Sequence, residues 1–240
     1  MKPVFWKIPE VTQSAEAVEA KFKQLVERLQ AITAKHANVK FATSLAVEDM
    51  VLTDAIAISK APIHLFTLET GRLHAQTVTM IDSVQQHYGI AIEALYPEQT
   101  DVDAYVKQYG LNGFYDSEEA KKACCGIRKV KLLNRALQGV DAWLSGQRRE
   151  QAVTRADLPF EEHDADRNTA KFNPLFDWTE ADVWAYTLIR KVPIHPLHHE
   201  GYPSIGCEPC TRPVKEGEDV RAGRWWWLQQ ESKECGLHVK

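Results

Sequence analysis

Five cysteines are the residues best equipped for chemistry in this 240-residue chain, and their spacing is ordered. Cys124 and Cys125 are adjacent, Cys207 and Cys210 form a CxxC, and Cys235 stands alone. In a reducing compartment such a set is a poor disulfide frame. Two pairs of soft thiolates suit zinc or an iron–sulfur cluster. Consecutive side chains on a helix diverge by about 100°. An adjacent pair therefore fits a cluster, whose iron atoms each take one thiolate, better than a single ion; a zinc knot on the same four cysteines is the competing reading. A thioredoxin-like redox role for the CxxC is disfavoured, because Pro213 follows it and no βα unit surrounds it. Cys235 lies between Lys233 and His238, which favour its thiolate, while Glu234 opposes them. A thiolate on a tail can react at a docked site and then meet a second partner; an incidental cysteine is the alternative.

Other residues could handle anions. Lys121, Lys122, Arg128, Lys129, Lys131 and Arg135 surround the first cysteine pair with no acid among them. They form either a local positive field or an ordinary solvated helix face. Arg221 and Arg224, three apart on an expected short helix, can clamp an oxyanion. Trp225-Trp226-Trp227 reads as a core or docking anchor in preference to an adenine stack. His74, His87, His195, His198 and His199 lack convincing ligand spacing and read as ordinary polar residues.

The elements that must position these groups follow from periodicity. Val18, Phe22, Leu25, Val26, Leu29 and Ile32 predict a helix over 14–36. Strands are expected at 39–43, 63–68, 90–96 and 140–145, with helices over about 48–59, up to Gly89, and over 116–138. Residues 146–169 read as a polar loop, 171–175 as a last strand, and Thr179-Glu180-Ala181-Asp182 as a capping box. Strand–helix alternation of this kind implies a doubly wound, mainly parallel α/β sheet. Ligands then bind beyond the carboxyl ends of the strands, where Ser44–Asp49, Glu69–Arg72 and Gly146–Gln151 with Arg155 fall. The first of these opens a helix, whose N–H groups suit a phosphate or sulfate. We expect residues 1–216 to form the nucleotide-binding domain carrying the cysteine site, and 217–240 a C-terminal appendage.

Composition narrows the classes. Net charge is −4, which argues against a nucleic-acid polymer as partner. No run approaches the roughly 18 apolar residues of a membrane span, and the start lacks a signal-peptide pattern, so the expected location is cytoplasmic. Oligomeric state is open, a homo-oligomer included.

Together, CCGIRKV (124–130), GYPSIGCEPCTRPV (201–214), GRWWW (223–227) and KECGLH (233–238) resemble the assimilatory adenylyl-sulfate reductases of the PAPS reductase family. TLETG (67–71), GQRREQ from Gly146 and NPLFDWTEADVW (173–184) fit too, so the resemblance runs from about residue 39 onward. It implies an adenine nucleotide α-hydrolase-like fold and a [4Fe-4S] cluster on Cys124, Cys125, Cys207 and Cys210. It also implies Cys235 as nucleophile toward adenosine 5′-phosphosulfate, and thioredoxin as reductant. Lys129, Arg221 and Arg224 would face sulfate and phosphate, and Ser44, Gly146 and Arg155 would line the nucleotide site. Two departures stand out. The family's SLGAED loop has Ala46 and Val47 here, a lost glycine that restricts close backbone approach, and Ala152 replaces a serine after Gln151. Reduction of the 3′-phosphorylated nucleotide, an ATP-pyrophosphatase of the same fold and a zinc-stabilised nucleotide binder are the alternatives.

Overall fold

Strand β1 (Val39–Ala42) lies in the interior of the sheet, with Val39 and Phe41 fully buried and Lys40 and Ala42 half-buried. The computed structural model describes residues 3–228. Around β1 lie β2 (Ile63–Leu68), β3 (Ile92–Leu95), β4 (Ala142–Leu144), β5 (Glu161–Asp164) and β6 (Thr169–Phe172). They form one six-stranded sheet in the order β3-β2-β1-β4-β6-β5. All pairings are parallel except β5 with β6.

Helices cover both faces, as a doubly wound sheet requires. On one side α1 (Ala15–Lys35), α2 (Val47–Ser59), α3 (Ala75–Tyr88) and α7 (Glu180–Ile189) bury Leu25, Leu29, Met50, Val84, Trp184 and their neighbours in the main core. On the other, α6 (Lys131–Ala136) packs Leu133 and Ala136 against Phe66 and Trp143. Each fully buried side chain of this size stabilises the fold by about 1.5–3 kcal/mol relative to exposure. The expected box caps α7: Thr179 Oγ accepts from Asp182 N–H at 3.0 Å, and Asp182 accepts from Thr179 N–H at 2.9 Å.

Several stretches differ from the sequence reading. Helix α4 (Gln99–Tyr109) is an addition; it buries only Tyr105, so its apolar signal is weak. The stretch expected as one helix over 116–138 is α5 (Glu118–Cys125), a π-helical turn at Gly126–Val130, then α6. The polar segment 146–169 contains β5, an edge strand whose Glu-Glu-His-Asp sequence has no apolar alternation. Residues 225–227 form no helix. Instead, the chain folds back as an antiparallel bridge between Thr211 and Arg224, with Trp225 N–H donating to Cys210 O at 3.0 Å. Arg221 and Arg224 thus belong to a turn closed by Arg224 N–H to Arg221 O at 2.9 Å. Cys235 lies outside the described residues. No helix among those described is long and apolar enough to cross a membrane.

Candidate active site

The chain leaves β1 for β2 on one side, while β4 takes the other flank, so their carboxyl ends open a switch-point crevice. A cavity of about 280 Å³ lies there. Ser44, Lys129, Gly146, Arg155, Arg221 and Arg224 all line it. Ala42, Phe66, Leu68 and Leu133 give it an apolar wall.

Its two rims differ in charge. One comes from the π-helical turn and the 221–225 turn. Trp225 is 1% exposed there, and its ring lies 4.6 Å from Lys121 Nζ, 5.9 Å from Lys129 Nζ and 4.7 Å from the Arg224 guanidinium carbon. Arg224 donates to Ser204 Oγ at 3.2 Å and Ile205 O at 3.0 Å. Its guanidinium fills the space beside Gly206, where a Cβ would come within 2.3 Å of Nη2. The basic stretch thus divides. Lys121 and Arg128 are buried and Lys129 lines the cavity, whereas Lys122, Lys131 and Arg135 pair outward with Glu118, Asp101 and Glu98.

The opposite rim is acidic and internally bonded. Asp49 and Glu48 occupy the first turn of α2. Asp49 accepts from Ser44 N–H at 2.6 Å and Ser44 Oγ–H at 2.5 Å. Burial raises its carboxyl to about 6, with Glu48 adding and the Ser44 and Gly146 hydrogen bonds opposing. Glu48 is desolvated as well, yet the Arg148 guanidinium at 2.8 Å holds it below the usual carboxylate range. Arg148, 5% exposed, also reaches Glu150 and Trp178 O, each at 3.3 Å. The loop before α2 bonds its own N–H groups inward: Ser44 N–H to Asp49, Leu45 N–H to Thr43 Oγ at 3.1 Å, and Ala46 N–H to Ser44 Oγ at 3.4 Å. Ala46 is extended (φ −72°), so the missing family glycine removes no backbone conformation this loop uses. Leu45 takes the positive φ (61°) and is held there by a fully buried side chain.

The cysteine segments meet beside the cationic rim. Cys124 and Cys125 end α5, and Leu73 forms a bridge with Cys207. Thr70 Oγ lies 3.3 Å from Cys207 Sγ, and Arg128 donates to Thr70 O at 2.6 Å, so the β2–α3 loop is pinned by both segments. Burial pushes the Cys210 thiol up to about 12, with Cys207 and Cys125 adding and Lys129 and Arg224 opposing. Cys124 is raised by burial and by Cys207. Among the described residues no three side chains gather tightly enough for a single metal ion. The donor chemistry nevertheless fits an iron–sulfur cluster. Four cysteine thiols, none in a disulfide and each buried or half-buried, come from two facing segments and repel one another when ionised. A polynuclear cation relieves that repulsion.

Sequence reasoning placed the segments that contain Asp49 and Arg148 at the site without giving either residue a part of its own, and it did not foresee the burial of three histidines. His74, His195 and His198 are buried; His195 Nε2 lies 2.8 Å from Thr77 Oγ, and His198 Nδ1 donates to Tyr202 O at 2.7 Å. Desolvation, with neighbouring histidines adding, lowers His195 to about 4; burial does the same for His198, against the Tyr202 bond. They act as neutral core residues. His87 and His199 are exposed.

A parallel sheet with a ligand cavity at its switch point is the architecture of the adenine nucleotide α-hydrolase-like class. A phosphoadenylyl-sulfate reductase from Candida auris, solved as a phosphate complex, superposes with a TM-score of 0.68 at 25% identity, over 85% of this chain and 100% of that one. Residues 38–213 match the phosphoadenosine phosphosulfate reductase domain, and the chain belongs to that family. It is 58% identical to the adenosine 5′-phosphosulfate reductase of Burkholderia cepacia, over 95% of this chain and 93% of the relative. It is 52% identical to that of Neisseria meningitidis serogroup B, over 99% and 97%.

Proposed function

We propose that the chain reduces adenosine 5′-phosphosulfate to sulfite and AMP in sulfate assimilation, with thioredoxin as reductant. The observation that carries this reading is the gathering of Lys129, Arg221 and Arg224 in the switch-point cavity, which also has an apolar wall suited to adenosine. The family's relatives named for this substrate support it.

In this reading the Cys235 thiolate attacks the sulfate sulfur. An S–S bond forms, the S–O bond to phosphorus breaks, and its electron pair leaves on AMP. Lys129, Arg221 and Arg224 face the charge that shifts onto the leaving phosphate, which is where fixed cations lower a barrier. The resulting thiosulfonate is attacked at Cys235 Sγ by a thioredoxin thiolate. Sulfite departs with the S–S electron pair, and the second thioredoxin thiol resolves the mixed disulfide. The dithiol thus supplies both electrons that take the sulfur from sulfate to sulfite. Cys124, Cys125, Cys207 and Cys210 would hold a [4Fe-4S] cluster, which would fix the two segments and tune the local field, its negative charge balanced by the basic residues around it. Thiol chemistry of this kind belongs in a reducing cytoplasm.

Protein, adenosine 5′-phosphosulfate and reduced thioredoxin are mixed without oxygen, and sulfite and AMP are measured. Wild type should release both in equal amounts; Cys235→Ser should release no sulfite. Full turnover by that variant, or none by wild type, would overturn the mechanism. Protein purified without oxygen should be brown; a colourless zinc protein would remove the cluster from the reading.

A further inference from the structure

A closed ring of hydrogen bonds stands at the β4 end of the cavity. Gln147 N–H donates to Ser145 Oγ at 3.4 Å, and Ser145 Oγ–H donates to Asn173 Oδ1 at 2.6 Å. Asn173 Nδ2 donates to Glu162 Oε1 at 3.0 Å. Lys171 Nζ donates to the same Glu162 oxygen at 2.9 Å and to Gln147 Oε1 at 2.8 Å, which closes the ring. An ammonium only donates and a carboxylate only accepts, so Lys171 and Glu162 fix which way both amides face. Gln147 therefore holds its oxygen on Lys171 and its Nε2 away from it. Gln147 is 6% exposed and Lys171 7%. Yet Gln147 Nε2 has no partner among the described residues, and the side chain lines the cavity. A buried amide held at one end thus offers its N–H groups, and nothing else, to a ligand.

We propose that Gln147 reads the nucleobase, its Nε2–H donating to a ring nitrogen of adenine, and that Lys171 is the positioning residue that forbids the opposite amide orientation. This rests on the adenine nucleotide proposed above as substrate. The apolar wall of Ala42, Phe66, Leu68 and Leu133 belongs to one cluster with Trp143, and Lys171 Nζ lies 5.4 Å from the Trp143 ring. Gln147, bonded to Lys171, stands at the edge of that wall. A base laid on the wall presents ring nitrogens at its rim, and these accept hydrogen bonds. The amide is neutral and Glu162 offsets the Lys171 charge, so the ring supplies a donor without a net positive charge. Lys129, Arg221 and Arg224 draw the phosphosulfate elsewhere. Strand β5, whose Glu-Glu-His-Asp sequence has no apolar alternation, gains a purpose in this arrangement: it brings Glu162 to the ring.

The test is calorimetric binding to the whole protein of AMP and its 1-deaza, 3-deaza and 7-deaza analogues, each of which replaces one ring nitrogen by C–H. For wild type, one analogue should bind about fivefold more weakly than AMP, the cost of one lost hydrogen bond, and the others nearly as well as AMP. Gln147→Leu should lose about the same factor on AMP and erase the deaza penalty. Lys171→Met, which frees the amide to turn its oxygen toward the base, should cut that penalty to about twofold. A ratio between ligands does not depend on the folded fraction, so a merely structural role for Lys171 would leave it at the wild-type value. Glu162→Gln should shift the ratio in the same direction, and it decides the positioning role where Lys171→Met fails to fold. A wild-type protein with no deaza penalty overturns the proposal, as does a penalty that survives Gln147→Leu. An unchanged ratio in the Lys171 and Glu162 variants removes Lys171 as the positioning residue. No arm requires turnover, so a protein that binds AMP with this pattern yet makes no sulfite would refute the proposed reaction and leave the base contact standing.

Discussion

The two rims of the cavity handle charge in opposite ways. On the β1–α2 side, Glu48, Asp49 and Arg148 are spent on one another and on backbone N–H groups, so the loop is rigid and offers few donors. On the other side, Lys121, Lys129 and Arg224 converge on the ring of Trp225, and Lys129 and Arg224 line the cavity. An aromatic face attracts cations without neutralising them. In the proposed reaction one rim holds its shape and the other meets a developing negative charge. Nearness to the cavity alone does not distinguish them. The difference lies in what each charged group leans on: carboxylates and N–H groups on one side, a buried ring on the other.

The largest effect should come from breaking the cationic rim. Lys129→Ala should lower kcat/KM for adenosine 5′-phosphosulfate by about 10²–10³-fold, the usual loss when one fixed charge-stabilising donor is removed. Steady-state sulfite release measures this, and AMP affinity should fall less than kcat. A variant that loses AMP affinity and turnover equally would make Lys129 a ground-state binder only.

Breaking the acidic rim should act on stability first. Arg148→Met leaves the Glu48 carboxylate, whose side chain is 14% exposed, without its 2.8 Å partner. Stranding one partner of a buried pair costs about 3–5 kcal/mol. Denaturant unfolding should show that loss, with AMP affinity falling only as the folded fraction falls. Glu48→Gln in the same background should recover part of it. A lone Arg148→Met variant as stable as wild type would mean that water reaches Glu48 and that this rim is not the closed unit described.

Acid sharpens the contrast between burial that favours a proton and burial that refuses one. His195 and His198 are lowered from 6.5 to about 4 in the fold. The unfolded chain therefore binds more protons between those values, and stability is lost as pH falls from about 6.5 to 4. Asp49 has the reverse sign. Its native value of about 6 lies above 3.8, so its contribution is full below 3.8 and lost as pH rises through 6. Asp49→Asn should steepen the acid loss between pH 4 and 6, read as midpoint of unfolding against pH. An unchanged slope would mean that Asp49 titrates at its ordinary value.

These assignments also mark where the sequence was readable. Strand β2 was expected at 63–68 and is Ile63–Leu68, because a largely buried strand announces itself as a mostly apolar run bounded by Pro62. The α7 capping box was legible for the same local reason. Helix α4 and strand β5 were not, since each buries little and an edge position removes alternation. Ser44, Gly146 and Arg155 fall in segments at the strand ends, and Lys129, Arg221 and Arg224 were carried over from the family resemblance; all six line the cavity. The pairing of Arg148 with Glu48 could not be anticipated, because a buried ion pair looks like a surface pair until the partner across the crevice is known. The same holds for His198, which packs against Trp184 and Trp6, and for His195 beside it. The helix expected at Trp225–Trp227 gave way to tertiary pairing with Thr211 and Cys210.

The smallest effect concerns the family glycine that this loop lacks. Ala46 sits at φ −72° and ψ 167°, a region every residue reaches, while the positive φ falls on Leu45. Ala46→Gly therefore relieves no strain in the folded state and adds freedom to the unfolded chain. It should lower stability by about 0.4–1 kcal/mol and leave AMP affinity within about twofold, the loop's hydrogen bonds being made by Thr43, Ser44 and Asp49. Thermal unfolding and calorimetry on the same sample test both halves. A clear gain in AMP affinity would show that the Ala46 methyl group blocks the nucleotide and that the acidic rim is sterically, not only electrostatically, set.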